Sequence, residues 1–402
     1  MKNHWELPHK PRKWQENALD EWCKSYKGIV SIVTGGGKTL FSFFCINEYR
    51  KKKKDGKIII VVPTITLLDQ WYVSLLDDFS VPSDQIACFS SEEKPKEWLT
   101  VNIIVINTAR KKLKTLNEKE DFFLIVDECH RAGSPLNSEA IKGNYFATLG
   151  LSATPEREYD DGFKKYILPN LGKIIYTYDY IEALNDRVIT PFTLNNVKVN
   201  LLPHEEEEYK KVSKKIRFLA EKDDENESGG FKIKMQRLLI KRAKISAGAM
   251  MRIPIACRIA EDHKAERIII FHESIEGANT LNKILNERKN NSVVYHSGIG
   301  PIIRRDNLRL YRKGIFNILV TCKALDEGMN APETSIAIIA SSTASTRQRI
   351  QRLGRVLRPA INKTDAIIFT LYATEQEKNR LVTEYKKFKL NITINWLKGI
   401  SK

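Results

Sequence analysis

The chain has 402 residues, 42% of them hydrophobic and 9% aromatic, which is enough apolar material for two or three packed domains and excludes wholesale disorder. Its 66 Lys and Arg against 49 Asp and Glu give a formal charge of +17, an excess that attracts polyanions at long range and makes nucleic acid the first partner to expect. No run approaches the roughly 18 apolar residues of a membrane span, the first residues lack the apolar core of a secretory signal, and Cys23, Cys45, Cys88, Cys129, Cys257 and Cys322 show no C-x-x-C spacing. A reducing, intracellular setting, cytoplasmic or nucleoid-associated and without a membrane, disulfide framework or zinc site, is the expectation.

In chain order, short apolar runs at 28–33, 57–62, 101–106, 122–126 and 147–151 alternate with polar, helix-like segments. That rhythm predicts β-α units around a parallel sheet. Residues 204–255 break it, with an acidic opening at 205–208, a polar Gly-containing patch at 223–230 and a basic run at 232–244. They read as a helical insertion with one loose loop. A second series of apolar runs, at 267–271, 292–295, 317–320, 335–340 and 365–370, predicts a second α/β domain after the first.

The 28–33 run leads straight into Thr34-Gly35-Gly36-Gly37-Lys38-Thr39 and then an apolar segment, 40–49. Glycines let backbone N–H groups converge on phosphate oxygens at a helix N-terminus, a lysine here supplies charge to β/γ-phosphates, and the next hydroxyl can hold Mg²⁺. Ile32 stands where the strict phosphate-loop pattern has glycine, so the strand–loop–helix context carries the assignment. The 122–126 run ends in Asp127-Glu128-Cys129-His130, which delivers two carboxylates to the same sheet edge as the loop. Asp127 is expected to bind Mg²⁺, and Glu128 to orient and deprotonate an attacking water. Arg352, Arg355 and Arg358 form a third cluster, too dense for an ordinary core, in which Arg355 and Arg358 share one helix face.

With these motifs the chain resembles a superfamily 2 helicase over nearly its whole length. Asp127-Glu128-Cys129-His130 is similar to a DEAD/DEAH-type box, Leu149-Gly150-Leu151-Ser152-Ala153-Thr154-Pro155 to motif III, and Gln351-Arg352-Leu353-Gly354-Arg355-Val356-Leu357-Arg358 to motif VI. The finer resemblance is to the XPB-like group, which includes the phage UvsW type and some restriction motors. It is carried by Val62-Pro63-Thr64 with Gln70-Trp71, by 324–332, and by 348–359. The resemblance implies two tandem RecA-like domains with parallel sheets, at 1–178 and 179–402, the second holding the helical insertion at 204–255, around a cleft for ATP and Mg²⁺. It makes Arg355 and Arg358 trans-acting fingers and Gln351 a phosphate or water contact. Arg12 and Gln15, in Pro11-Arg12-Lys13-Trp14-Gln15, match the adenine-recognition element, and Glu327 and Gly328 join the nucleotide contacts. It makes Ser152, Thr154 and His130 coupling residues. Thr64, Thr108, Arg110, His296 (in His296-Ser297-Gly298) and Thr321 fall where the family touches the sugar-phosphate backbone. Cys322 departs from a usual Thr and Asn330 from a common Asp, and a thiol is a poor phosphate donor.

The implied activity is ATP-dependent movement along nucleic acid, with DNA favoured over RNA, and with a protein partner as one source of specificity. Two other readings stay open on sequence alone: a duplex translocase or remodeller that separates no strands, and a non-enzymatic clamp. Arginines that meet the γ-phosphate chiefly in the transition state act on rate more than on binding. Arg355→Ala and Arg358→Ala are each expected to lower the maximal ATP turnover by about 10³-fold or more while nucleotide affinity changes little. Steady-state kinetics beside equilibrium nucleotide binding reads this, and a loss confined to affinity would remove the finger role.

Overall fold

The computed structural model describes residues 5, 10–33, 35–114, 116, 121–153, 155–156, 160–186, 188, 192–221, 229–322, 334–341, 366–385 and 393–397. The Val- and Ile-rich runs become the parallel, largely buried strands β1 Lys27–Ile32, β2 Lys57–Val62, β4 Val101–Val105, β5 Phe122–Asp127 and β6 Ala147–Ser152, to which the structure adds two edge strands, β3 Ile86–Phe89 and the mostly half-buried β7 Ile174–Tyr178. They form one sheet in the order β3-β4-β2-β5-β6-β1-β7. Strands apolar on both sides need cover on both faces, and two separate cores supply it. One is built around Trp22, Phe41, Phe43, Tyr49, Leu68 and Trp71, the other around Leu124, Val126, Ile141 and Tyr145. Helices α1 Lys13–Cys23, α2 Lys38–Lys52, α3 Ile65–Asp77 and α4 Ile106–Lys112, the one-turn α5 Pro135–Ser138 and α6 Leu168–Leu171, and α7 Tyr180–Asn185 complete this half.

The second sheet contains β8 Phe192–Lys198, β9 Ile268–His272, β10 Ser292–Tyr295, β11 Ile318–Cys322, β12 Ile336–Ile339, β13 Ala366–Tyr372 and β14 Thr393–Leu397. Their order is β10-β11-β9-β12-β13-β8-β14, again with parallel pairs throughout. The insertion forms two long helices, α8 Pro203–Ala220 and α9 Gly229–Ala247, followed by α10 Arg252–Asp262, α11 Ile275–Glu287, α12 Pro301–Arg312 and α13 Glu375–Tyr385. The expected division at 178/179 coincides with the end of β7, whereas the compact units part at Ile189 and Thr190.

The first compact unit also takes in Pro301–Arg309, through charge. Asp69 on α3 is fully buried and accepts hydrogen bonds from both Arg304 and Arg305, the latter at 2.8 Å. Arg304 reaches Glu92 and Arg305 reaches Glu93, each at 3.0 Å, and Arg309 pairs with Asp77 at 2.9 Å. A carboxylate so placed tolerates burial only because guanidinium groups neutralise it.

The second unit has a buried cation instead. Arg252, at the start of α10, is 1% exposed and donates to the carbonyls of Ser246 (2.9 Å), Ala340 (3.0 Å) and Leu371 (2.7 Å) and to both oxygens of Glu377 at 2.8 Å. It ties the end of the insertion to the C-terminal ends of β12 and β13. Burial alone raises the Glu377 carboxyl, but Arg252 and the Ala373 amide outweigh it and hold the group below its ordinary value. A depressed carboxyl stabilises the fold fully above its unfolded value, about 4.3, and loses that contribution as pH falls through the folded value. Glu377→Ala strands a buried guanidinium, and a loss of about 3–5 kcal/mol is expected in urea unfolding at pH 7. The difference from the parent protein should shrink as the pH is lowered through the carboxylate range; a loss under about 1 kcal/mol at neutral pH would show that Arg252 does not depend on this partner.

Candidate functional site

Strand β1 runs out at Ile32, and the chain turns through Gly35 (φ +90°) and Gly37 (φ +103°) into α2. Both glycines occupy the left-handed half of backbone space, which a side chain disfavours. The turn places the first amides of a 15-residue helix at the C-terminal edge of the sheet, and the unsatisfied N–H groups of such a helix start attract anions. Gln15 is fully buried beneath this loop. Its side-chain carbonyl accepts from the Arg12 amide at 2.9 Å and its amide donates to the Gly37 carbonyl at 3.4 Å, while the neighbouring Trp14 ring stacks on Tyr178 with centroids 4.9 Å apart. Gln15 thus meets the phosphate loop, while Arg12, bonded to it through the backbone amide, is exposed.

Strand β5 brings Asp127 to the same edge, one strand removed: Asp127 pairs with Leu151 of β6, and Ser152 of β6 pairs with Ser31 of β1. Burial pushes the Asp127 carboxyl up, opposed by the Lys38 charge and by hydrogen bonds from the Trp71 indole and the Glu128 amide. Those bonds fill different oxygens. Trp71 Nε1 donates to Oδ2 at 3.0 Å and the Glu128 N–H to Oδ1 at 2.9 Å. The next residue, Glu128, adopts a left-handed backbone (φ +49°), and its carboxylate meets Lys38 Nζ at 2.8 Å. His130 Nδ1 lies 3.5 Å from the other Glu128 oxygen and 3.0 Å from Ser152 Oγ. A continuous polar chain therefore joins Lys38, Glu128, His130 and Ser152.

The donors here are hard oxygens: the Asp127 carboxylate and, at the start of α2, the half-buried Thr39. Among the described residues no cluster of three or more His, Cys, Asp or Glu could hold a metal by itself. That donor set fits Mg²⁺, which binds through one or two protein oxygens together with water and substrate phosphates.

The expected nucleic-acid contacts divide between the units. Thr64 caps α3, its hydroxyl accepting from the Leu67 amide at 3.4 Å, at the end of β2. Thr108 and Arg110 lie on α4, where Arg110 donates to the Asn107 side chain at 2.6 Å. In the second unit His296 is 3% exposed, with Nε2 on the Asn279 side-chain oxygen at 2.8 Å and Nδ1 accepting from the Gly298 amide at 3.1 Å, so the exposed group at this corner is Ser297. Thr321 is fully buried in β11. Thr34, Thr154, Glu327, Gly328, Gln351, Arg355 and Arg358 lie outside the described residues. Sequence reasoning missed Trp71 as a partner of Asp127; the available signal was a tryptophan in an apolar helix, whose N–H needs an acceptor once buried.

Residues 8–157 match the family model of the type III restriction enzyme res subunit, and residues 251–360 match that of the helicase conserved C-terminal domain. The chain belongs to the superfamily 2 helicases. It is 28% identical over 382 residues to the DNA 3'-5' translocase XPB2 of Sulfurisphaera tokodaii, covering 86% of this chain and 78% of the relative. It is 23% identical over 377 residues to the DNA 3'-5' helicase XPB of Mycobacterium tuberculosis, covering 92% of this chain and 61% of that one. The structure of S. cerevisiae Dbp5 bound to RNA and ADP BeF3 superposes with a TM-score of 0.65 at 14% identity, over 96% of this chain and 90% of that one. The two seven-stranded parallel sheets are thus the tandem RecA-like domains of these helicases.

The Lys38–Glu128 pair separates two roles within the helicase. Lys38→Ala removes the cation that pairs with Glu128 and that the loop motif assigns to phosphate, and is expected to abolish nucleotide binding and turnover together; Glu128→Gln keeps the shape, and should bind nucleotide while turnover falls by at least about 10²-fold. Binding of a fluorescent ATP analogue beside phosphate release separates them, and wild-type turnover in Glu128→Gln would take Glu128 out of the chemistry.

Proposed function

We propose that this helicase is an ATP-driven motor on DNA that moves along the sugar-phosphate backbone and acts best on forks or branched junctions. The observation that carries the reading is the Lys38–Glu128 pair at 2.8 Å beside the buried Asp127, at the mouth of a glycine turn. Lys38 contacts the β/γ-phosphates, Thr39 and Asp127 hold Mg²⁺, Glu128 orients the attacking water, and the adenine-recognition pair is the exposed Arg12 with Gln15, which must turn from its Gly37 contact to reach the base. Arg355, Arg358 and Gln351 complete the hydrolytic set. The His130–Ser152 contact carries this chemistry to the end of β6, and is the candidate link to nucleic-acid movement. ATP with Mg²⁺ is the cofactor pair.

DNA is favoured over RNA by the XPB relatives' names, the +17 charge suits any nucleic acid, and contacts to phosphates make movement largely indifferent to sequence. The insertion adds a surface of its own. On α9, Lys234, Arg237, Lys241 and Lys244 are exposed and Arg242 is half-buried; Lys241 pairs with Glu208 at 2.9 Å, an exposed contact worth little and one that a DNA phosphate can displace. A protein partner remains a second source of specificity. No helix among the described residues is long and apolar enough to cross a membrane, and the proposed setting is inside the cell, with DNA.

Translocation on duplex without strand separation is the second reading, favoured by an insertion whose exposed cations outnumber its aromatic candidates for a wedge, Phe218 and Phe231. Strand displacement and triplex displacement run side by side distinguish the two. Poor unwinding of a long simple duplex is expected, with better action on forks, a preference lost in Lys241→Ala/Arg242→Ala. Binding should weaken with salt at a log–log slope of roughly −0.7 per phosphate on single strands and about −0.9 on duplex. Fast unwinding of a long tailed duplex, unchanged by the double substitution, would remove both the substrate preference and the role of the insertion, and turnover indifferent to any nucleic acid would remove the motor itself.

A further inference from the structure

Helix α3 begins at the Thr64 cap and carries Trp71 seven residues later, about 10 Å along at 1.5 Å per residue. Trp71 is 2% exposed. Its ring packs edge-on against Phe43, with centroids 6.1 Å apart, and Phe43 in turn stacks on Phe79 at 4.2 Å. The indole therefore sits in the first core against a Phe43 ring that is itself braced by Phe79, and its one polar atom is spent on Asp127 Oδ2 at 3.0 Å. The opposite carboxylate oxygen is filled by the amide of Glu128. A carboxylate with two rotatable oxygens is thereby fixed about its last torsion by one donor from its own strand end and one from α3.

We propose that Trp71 is a positioning residue for the metal-binding carboxylate: its indole N–H sets the orientation of Asp127, and because Thr64 begins the same helix, backbone engagement at Thr64 is felt at Asp127 through Trp71. The inference rests on the motor reading for what Asp127 and Thr64 bind, and adds the residue that joins them. Removing a partner that orients a metal ligand typically costs 10–100-fold in metal affinity or activity. Trp71 has the properties such a partner requires: it is buried, packed against the Phe43 ring, and directed at a single carboxylate oxygen.

The test is Trp71→Phe, which keeps an aromatic ring against Phe43 and removes the N–H. Nucleotide binding is measured with a fluorescent ADP analogue, with Mg²⁺ titrated from zero. In the parent protein Mg²⁺ should tighten binding; in Trp71→Phe the metal-free affinity is expected to stay within about twofold, while the Mg²⁺ concentration for half of the gain rises roughly 10-fold or more. The stimulation of turnover by single-stranded DNA should fall in parallel, and DNA affinity without nucleotide should not change. Asp127→Asn supplies the cycle: Trp71→Phe added to it should cost nothing further, as for two residues acting through one contact. Should Trp71→Phe fail to accumulate as folded protein, Trp71→His, which keeps a ring N–H, reads the same quantities and should lie between parent and Asp127→Asn. An unchanged Mg²⁺ requirement in a folded Trp71 variant, or full additivity with Asp127→Asn, overturns the proposal while leaving the motor reading intact; a parent protein that binds no nucleotide with or without Mg²⁺ overturns the motor reading instead.

Discussion

A carboxylate buried at the end of a parallel strand persists only where charge and hydrogen-bond donors surround it, and in this helicase that constraint falls on Asp127. The β5 strand that delivers it is apolar up to that residue and offers it no polar side chain. Compensation has to come from neighbouring elements: the Lys38 charge from the start of α2, an indole N–H from α3, and the amide of Glu128. The glycine turn is what lets α2 begin close enough for Lys38 to act. The geometry of the phosphate loop, the rotamer of Trp71 and the backbone of Glu128 are in this sense answers to one buried charge.

The second unit meets the same constraint with the sign reversed. Arg252 is a buried cation, and its donors are used on three carbonyls and on Glu377. The carbonyls at Ala340 and Leu371 belong to adjacent strand ends, and the one at Ser246 to the end of the insertion. A planar guanidinium can bridge three chain segments in this way because its five N–H groups point in fixed directions. The first unit organises chemistry around its buried charge; the second organises the attachment of α8 and α9 to the sheet.

Much of this was legible in the residues. The runs at 57–62 and 292–295 are the observed strands β2 and β10, and most of the other expected runs differ from their strands by a residue or two at an end. The glycine turn with Lys38, and Asp127-Glu128 at a strand end, are local patterns whose meaning depends only on strand–loop–helix order. Strand β8 escaped because Phe-Thr-Leu-Asn-Asn-Val-Lys reads as polar, yet Asn196 is fully buried, held by the Tyr385 hydroxyl at 2.8 Å. Edge strands β3, β7 and β14 are short or poorly covered, so their hydrophobic signal is weak. The contacts of Trp71 with Asp127 and of Asp69 with Arg304 and Arg305 join residues 56 to 236 positions apart, and no periodicity encodes such pairs. Motif VI was readable as sequence, whereas its arginines fall outside the described residues.

Glu128 is the residue at which stability and work part company. Its left-handed backbone, φ +49°, costs a side chain with a Cβ on the order of 1–2 kcal/mol, and the cost is borne in every copy of the protein, idle or active. Glycine adopts that conformation freely and asparagine tolerates it. A variant library screened for heat resistance alone would therefore drift at this position toward residues that relax the chain and lack the carboxylate, trading catalysis for robustness. With the role proposed for its carboxylate, the strain at Glu128 is tolerated for what the residue does rather than for what it holds together.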